Sequence, residues 1–261
     1  MSSVVVTAAV APVHAEPSVR AEQVTQLVLG ETASIREDHG EWLAIRSDVD
    51  GYQGWMNAGY LRRLDAAALG AWTTAAASIS LGARITLGKD VVHAPLRARL
   101  AEDDGLITLP DGRAGRLLDG GVRRADELAR ALRNGAPHAW ALEQFRGTSY
   151  LWGGLTPLGV DCSGLVQTTY LLRGQVLARD SSVQATAGTA VPLDGIRPGD
   201  LLFFHGEKSS GITHVAFAAE GDTIIHSTIS CGGVLQESFQ PGTRAGEQLR
   251  PRLVAVRRIA G

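Results

Sequence analysis

The sequence predicts an α+β domain preceded by one or two small all-β barrels. Three observations carry that expectation. Residues 4 to 122 consist of short apolar runs separated by turn residues. From Ala139 the order becomes helix, glycine-bearing loop, helix and then five strand-like runs, which is the layout of an α+β domain. Asn134-Gly135-Ala136-Pro137 breaks the pattern between the two styles.

The first barrel is read from Val4 to Val10, Val24 to Leu29, Thr32 to Arg36, Trp42 to Arg46 and Gly54 to Met56. Asp50-Gly51 marks a hairpin, because Asp and Gly tolerate the positive φ of a tight turn. A weaker repeat of this style, Ile79 to Leu81, Arg84 to Leu87, Leu106 to Leu109 and Gly115 to Leu118, surrounds Asp111-Gly112 and lacks the Gly-Trp that follows the first turn. A helical pattern covers Arg124 to Leu132. The expected domains are therefore residues 1–66, 67–136 and 137–261. In the last of these, Asp161 caps a helix that starts at Cys162 and ends at Gly174. The strands are Asp200 to His205, His214 to Ala219, Thr223 to Ser227, Val234 to Glu237 and Leu253 to Arg258, entered through the turn Arg197-Pro198-Gly199-Asp200.

Composition narrows the function classes. A chain of 261 residues with 44% hydrophobic content buries a good core, while a net charge of -2 without a basic cluster disfavours nucleic acid and anionic membrane as partners. Two cysteines, Cys162 and Cys231, exclude a disulfide scaffold and a four-cysteine metal site. No Lys or Arg precedes Arg20, and no run approaches the ~18 apolar residues of a membrane span. A cytoplasmic protein is expected.

Cys162 carries the chemistry. A helix N-terminus offers unpaired N–H groups and the positive end of the dipole, so a thiol there is expected to have a lowered pKa and to act as a nucleophile. The competing reading is a small buried core residue, but Ser163 and Gly164 follow it where a core helix carries larger apolar groups. A cysteine hydrolase also needs a base and a group to orient that base. His214 stands at the head of an apolar strand and His226 on the strand expected beside it, so the two imidazoles can meet. A metal site is the rival reading, with one cysteine, two histidines and no clear fourth ligand. Cys231, in Ser230-Cys231-Gly232-Gly233, is read as a turn residue.

Tyr150-Leu151-Trp152-Gly153-Gly154, Asp161-Cys162-Ser163-Gly164, Arg197-Pro198-Gly199-Asp200, His214-Val215-Ala216 and His226-Ser227, in that order, resemble the NlpC-type cell-wall peptidases, a papain-like group. The resemblance covers about residues 139 to 258. It implies Cys162 as nucleophile, His214 as base and His226 as orienting residue, with the Tyr150 hydroxyl and the Cys162 N–H at the oxyanion hole and no cofactor. Gln26 to Glu31, Glu41-Trp42 and Asp50 to Trp55 resemble the bacterial SH3 domain that precedes the peptidase in γ-D-glutamyl-L-diamino-acid endopeptidases. That resemblance implies a muropeptide substrate with a free N-terminal L-Ala and a place in cell-wall peptide recycling. Glu31 and Tyr52 are the candidates for its ammonium. Asp180 and Ser181, in a motif shared with that subfamily, are candidates for the D-Glu part, with Asp161 and Ser163 beside them; Arg179 reads equally as a structural ion-pair residue. Three alternatives stand: an amidase or acyltransferase on the same frame, a non-enzymatic wall-binding protein, and a secreted peptidoglycan hydrolase.

Overall fold

Val4, Val5 and Val6 are β-branched, extended and fully buried in β1 (Ser3–Val6). The chain bends over residues 7–9 before β2 (Val10–His14), so the single run expected from Val4 to Val10 is two strands. The computed structural model describes residues 2 to 260 and divides into two compact units, residues 1–128 and 129–261. In the first unit, β3 (Gln23–Val28), β4 (Thr32–His39), β5 (Trp42–Ser47), β6 (Gln53–Asn57) and β7 (Leu61–Leu64) complete an antiparallel sheet of order β3-β2-β6-β5-β4-β1-β7. Val4, Val6, Leu27, Leu43, Ile45 and Met56 fill it. At the expected hairpin Gly51 has φ +76°, and the N–H of half-buried Tyr52 donates to Asp50 Oδ1 at 3.0 Å.

Helix α1 (Ala66–Ala75), capped by Asp65, leads into a second sheet. Its strands are β8 (Ser78–Ser80), β9 (Ala83–Leu87), β10 (Asp90–Ala94), β11 (Arg99–Asp103), β12 (Leu106–Thr108), β13 (Ala114–Asp119) and β14 (Val122–Arg124). Their order, β10-β9-β13-β12-β11-β8-β14, is the first order advanced by seven labels, so the second barrel repeats the first strand for strand. The repeat is faint in sequence because Arg116 stands where the first barrel has Trp55, but the glycine before it is retained. A Cβ on Gly54 would lie 2.5 Å from Val13 Cγ1, and one on Gly115 would lie 1.9 Å from the Thr86 carbonyl oxygen. Both glycines are needed where strands cross closely.

The repeat also explains Glu31. Gly30 N–H donates to Val6 O and Val6 N–H to Glu31 O; in the second barrel Arg97 N–H donates to Ser80 O and Ser80 N–H to Ala98 O. Arg97 thus takes the left-handed position of Gly30, with φ +79° against +82°. A non-glycine residue there is strained. Its Nε donates to Glu31 Oε1 at 2.7 Å, and both side chains are 1% exposed. Val28 N–H donates to the other Glu31 oxygen at 2.9 Å. Glu31, expected to bind a substrate ammonium, is instead sealed inside the first unit as the counter-charge of Arg97.

The second unit begins at residue 129 rather than 137, and the division falls within α2 (Ala125–Arg133). There follow α3 (Pro137–Phe145), the short hairpin β15 (Leu155–Thr156) and β16 (Gly159–Val160), α4 (Cys162–Leu172), α5 (Ser181–Gln184) and β17 (Thr189–Ala190). The strands β18 (Leu201–His205), β19 (Ile212–Ala219), β20 (Thr223–Thr228) and β21 (Gly233–Ser238), then α6 (Arg244–Leu249) and β22 (Leu253–Arg258), end the chain. The sheet order is β17-β22-β18-β19-β20-β21. Helix α4 is buried at every position from Cys162 to Tyr170, and Tyr170 stacks on Phe217 of β19 with ring centroids 6.2 Å apart. Leu202, Phe204, Ala216, Ile224, Phe239 and Leu249 make a separate core on the strand residues of opposite parity. No helix among the described residues is long and apolar enough to cross a membrane.

Removing one member of a buried pair leaves the other charge uncompensated. Arg97→Ala is therefore expected to destabilise the first unit by about 3–5 kcal/mol, and the double change Glu31→Leu/Arg97→Met by far less. Urea unfolding of the full chain measures both.

Candidate active site

Asp161 makes the first turn of α4. Extended in backbone, it accepts Gly164 N–H on Oδ1 at 2.7 Å and Gly153 N–H on Oδ2 at 2.8 Å. One carboxylate thus caps the cysteine helix and fixes the Tyr150–Gly154 loop to it. The loop can approach because Gly164 has no side chain: a Cβ there would lie 2.1 Å from the Gly154 carbonyl oxygen. Arg179 closes the cluster from behind, with Nη1 donating to Asp161 Oδ1 at 3.1 Å and to Ser163 Oγ at 2.7 Å, and Nη2 donating to Asp161 Oδ2. Gln184 of α5 donates to the Ser163 and Ala178 carbonyls at 3.0 and 2.8 Å.

The histidines share a sheet face. Ala218 lies opposite Ile224, so residues 214, 216 and 218 of β19 face the same way as 224 and 226 of β20. His214 Nε2 and His226 Nδ1 are 2.7 Å apart. His226 Nε2 lies 2.7 Å from Glu237 Oε1 on β21, a residue that the sequence reading missed. Arg244 of α6 donates from Nη2 to the same Glu237 oxygen and from Nε to the other at 3.2 Å. Since Nε2 of His214 is occupied by His226, proton exchange with the thiol falls to Nδ1. The Val215 main chain hydrogen-bonds toward the sulfur, which puts the thiol beside the His214–Val215 peptide.

Tyr150 is half-buried, with its N–H on the Gly232 carbonyl at 2.8 Å. Burial first, and then the charges of Cys162 and Asp161, push its phenol well above the usual tyrosine range, so it is a neutral O–H donor near the nucleophile. The Cys162 N–H, in the first turn of α4, has no acceptor within the helix. Those two donors suit an oxyanion.

Residues 147–250 match the model of the NlpC/P60 family, and residues 13–61 match that of the bacterial dipeptidyl-peptidase SH3 domain. The chain carries an NlpC/P60 domain preceded by a bacterial SH3 domain. It is 29% identical to a γ-D-glutamyl-L-lysine dipeptidyl-peptidase of Bacillus subtilis, over 78% of this chain and 71% of that protein. It is 28% identical to dipeptidyl-peptidase 6 of Lysinibacillus sphaericus, over 86% of this chain and 87% of that one. The fold is shared with the crystal structure of an NlpC/P60 family protein from Bacillus cereus, with a TM-score of 0.78 at 20% identity over 99% of this chain and 100% of that chain. The NlpC/P60 chain described here is a cysteine peptidase.

Within this NlpC/P60 site the resting electrostatics differ from the sequence expectation. Cys162 is 8% exposed. Burial, then the neighbouring Asp161 charge, pushes its thiol up to about 12, against the opposing Val215 hydrogen bond, the Arg179 charge and the Ser163 hydrogen bond. Burial also drives His214 down to about 3, with His226 and Arg252 adding to the effect and Glu237 opposing it. The helix terminus does not win over desolvation, and the resting groups are a neutral thiol and a neutral imidazole. Asp161 and Ser163, expected on the substrate side, are turned inward: at 5% and 6% exposure their oxygens are held by Arg179 and the loop. Arg179 is the buried ion-pair residue. Asp180 is exposed at the N-terminus of α5 and Ser181 is buried beside it. Cys231 is an exposed free thiol in a short turn, as its glycine neighbours suggested.

Two outcomes follow from the site. In a Cys231→Ser background, alkylation of Cys162 by iodoacetamide is expected to keep rising between about pH 7 and 9.5, because thiolate is the reactive form. A plateau reached by about pH 6 would mean a preformed ion pair. Arg179→Met strands the buried Asp161 charge and is expected to cost about 3–5 kcal/mol, read by urea unfolding, with peptidase activity lost before the unit unfolds.

Proposed function

We propose that the protein is an endopeptidase that cleaves the bond between γ-D-Glu and a diamino acid in cell-wall peptides of the form L-Ala-γ-D-Glu-diamino acid. One observation carries the mechanism: the hydrogen-bonded line His214–His226–Glu237 starts at the residue before Val215, whose main chain hydrogen-bonds toward a thiol at the head of a buried helix. The substrate class is supported by the relatives named for γ-D-glutamyl-L-lysine cleavage.

In this reading the Cys162 S–H gives its proton to His214 Nδ1 as the sulfur attacks the γ-carbonyl carbon. The oxyanion is received by Cys162 N–H and the Tyr150 hydroxyl. His214 then protonates the leaving α-amine, the C–N bond breaks and a thioester remains. Water, deprotonated by His214, attacks the thioester and restores the thiol. Asp180, exposed beside the buried Arg179, and Ser181 are the groups proposed for the D-Glu part of the substrate.

A free N-terminal L-Ala is the proposed preference, with Tyr52 as the remaining first-barrel candidate for its ammonium. The proposed setting is recycling of released peptides in the cytoplasm. Two cysteines without a disulfide suit a reducing compartment.

Purified protein incubated with L-Ala-γ-D-Glu-L-Lys, or with the diaminopimelate analogue, is expected to release L-Ala-γ-D-Glu, detected by mass spectrometry. Cys162→Ala should release none, and N-acetylation of the L-Ala should lower the rate. No release by the wild type from either peptide would end this reading.

A further inference from the structure

The Cys162–His214–His226 arrangement leaves open which ring nitrogens carry protons, and Glu237 decides it. We propose that Glu237 is a positioning residue that sets the tautomers of both histidines and so leaves His214 Nδ1 bare to take the thiol proton. The inference rests on Cys162 as the nucleophile but not on the identity of the peptide.

An ionised carboxylate only accepts hydrogen bonds. His226 Nε2, 2.7 Å from Glu237 Oε1, must therefore carry a proton. Neutral His226 then has a bare Nδ1, which accepts from His214 Nε2 at 2.7 Å. His214, protonated on Nε2, has a bare Nδ1 in its neutral form. With both rings neutral, each step follows from donor and acceptor counts.

Arg244 keeps the first step in place. It holds both Glu237 oxygens from α6, and its Nη1 also donates to Ser230 Oγ at 2.9 Å. Burial works to raise the Glu237 carboxyl, but the hydrogen bonds from His226 and Arg244 outweigh it and hold it below the usual glutamate range. The charged or titratable groups around the line are His214 on β19, His226 on β20, Arg244 on α6 and Arg252 in the turn after α6. A protonated His226 would repel charge on His214, but with Nδ1 accepting from His214 it is neutral. The line therefore receives positive charge on His214 without a second charged imidazole beside it, and Arg252 is the cation that still acts on the ring.

Glu237→Gln should loosen the line. An amide can present its oxygen or its NH2 to His226 Nε2, and Arg244 donates to both positions, so a proton on Nε2 is no longer obligatory. Where the NH2 faces Nε2, His226 carries its proton on Nδ1, His214 accepts on Nε2, and His214 Nδ1 is protonated and useless as a base.

The test uses the full chain in the Cys231→Ser background, with 15N-labelled histidine and iodoacetamide as the probe of Cys162, so no peptide substrate is needed. Expected in the parent is His226 protonated on Nε2 and bare on Nδ1; in Glu237→Gln the Nδ1-protonated form should appear, with alkylation at neutral pH slowed in proportion to it, as befits a wrong tautomer. His226→Asn cuts the line downstream of Glu237, so Glu237→Gln should change its alkylation rate by no more than about twofold. A parent His226 protonated on Nδ1, an unchanged rate in Glu237→Gln, or rate losses that multiply in the double variant would each overturn the proposal. If Glu237→Gln does not fold, the tautomers of the parent decide. Glu237-dependent alkylation without hydrolysis of L-Ala-γ-D-Glu-L-Lys would retain this inference and remove the substrate reading.

Discussion

The buried Asp161–Arg179 pair is the constraint on which the rest of the catalytic unit depends. Asp161 caps α4, anchors Gly153 and so fixes the loop that carries Tyr150, while its own charge is answered by a guanidinium that also holds Ser163. A carboxylate at the head of a helix usually stabilises a helix dipole. Here it also sits next to the nucleophile and raises the thiol. Arg179 reduces that penalty, since its charge acts on the sulfur in the opposite direction. The same side chain thus has to be buried for the architecture and neutralised for the chemistry, and one arginine does both.

The first unit solves a related problem differently. Two barrels of one strand order meet where Gly30 and Arg97 occupy equivalent left-handed positions. At Gly30 the reason is space: a Cβ would lie 2.1 Å from the Arg99 carbonyl oxygen. At Arg97 the strain is accepted because the side chain reaches Glu31. Trp72 of α1 donates to the Gly30 carbonyl at 2.9 Å, so the connecting helix joins the same contact.

Local patterns revealed what is local. Alternating apolar runs, the Asp161 cap and Gly174 at φ +82° after α4 are determined by neighbours within a few positions, and β22 falls on the expected residues. His214 and His226 were legible because both stand in apolar strands where a polar residue is conspicuous. Glu237 was not: it sits diagonally from His226, with Leu235 opposite His226 and Ile224 opposite Glu237, and that relation needs the register of the hairpin. The signal that could have found it is the same-face spacing of Leu235 and Glu237 on the strand after His226. Glu31 misled for the opposite reason. A charged residue in a turn reads as solvent-facing, and only the second barrel, poorly visible in sequence, supplies the arginine that buries it.

Desolvation at Cys162 and His214 gives these parts a common logic. A thiolate and an imidazolium formed together attract each other, but in a dry site each alone carries a solvation cost, so the neutral pair is the resting state. In the proposed mechanism charge appears only as the sulfur attacks, at the moment when Val215 faces the sulfur and the Cys162 N–H and Tyr150 hydroxyl face the new oxyanion. Donors fixed in advance by the Asp161 cluster need no reorganisation at that moment, which is where preorganised dipoles contribute most. A lower resting pKa would make the thiol more reactive toward every electrophile it meets. In the proposed reading, a buried, neutral thiol that gives its proton to His214 only on attack, with the ring positioned by the line to Glu237, reserves its reactivity for a carbonyl that the site has already oriented.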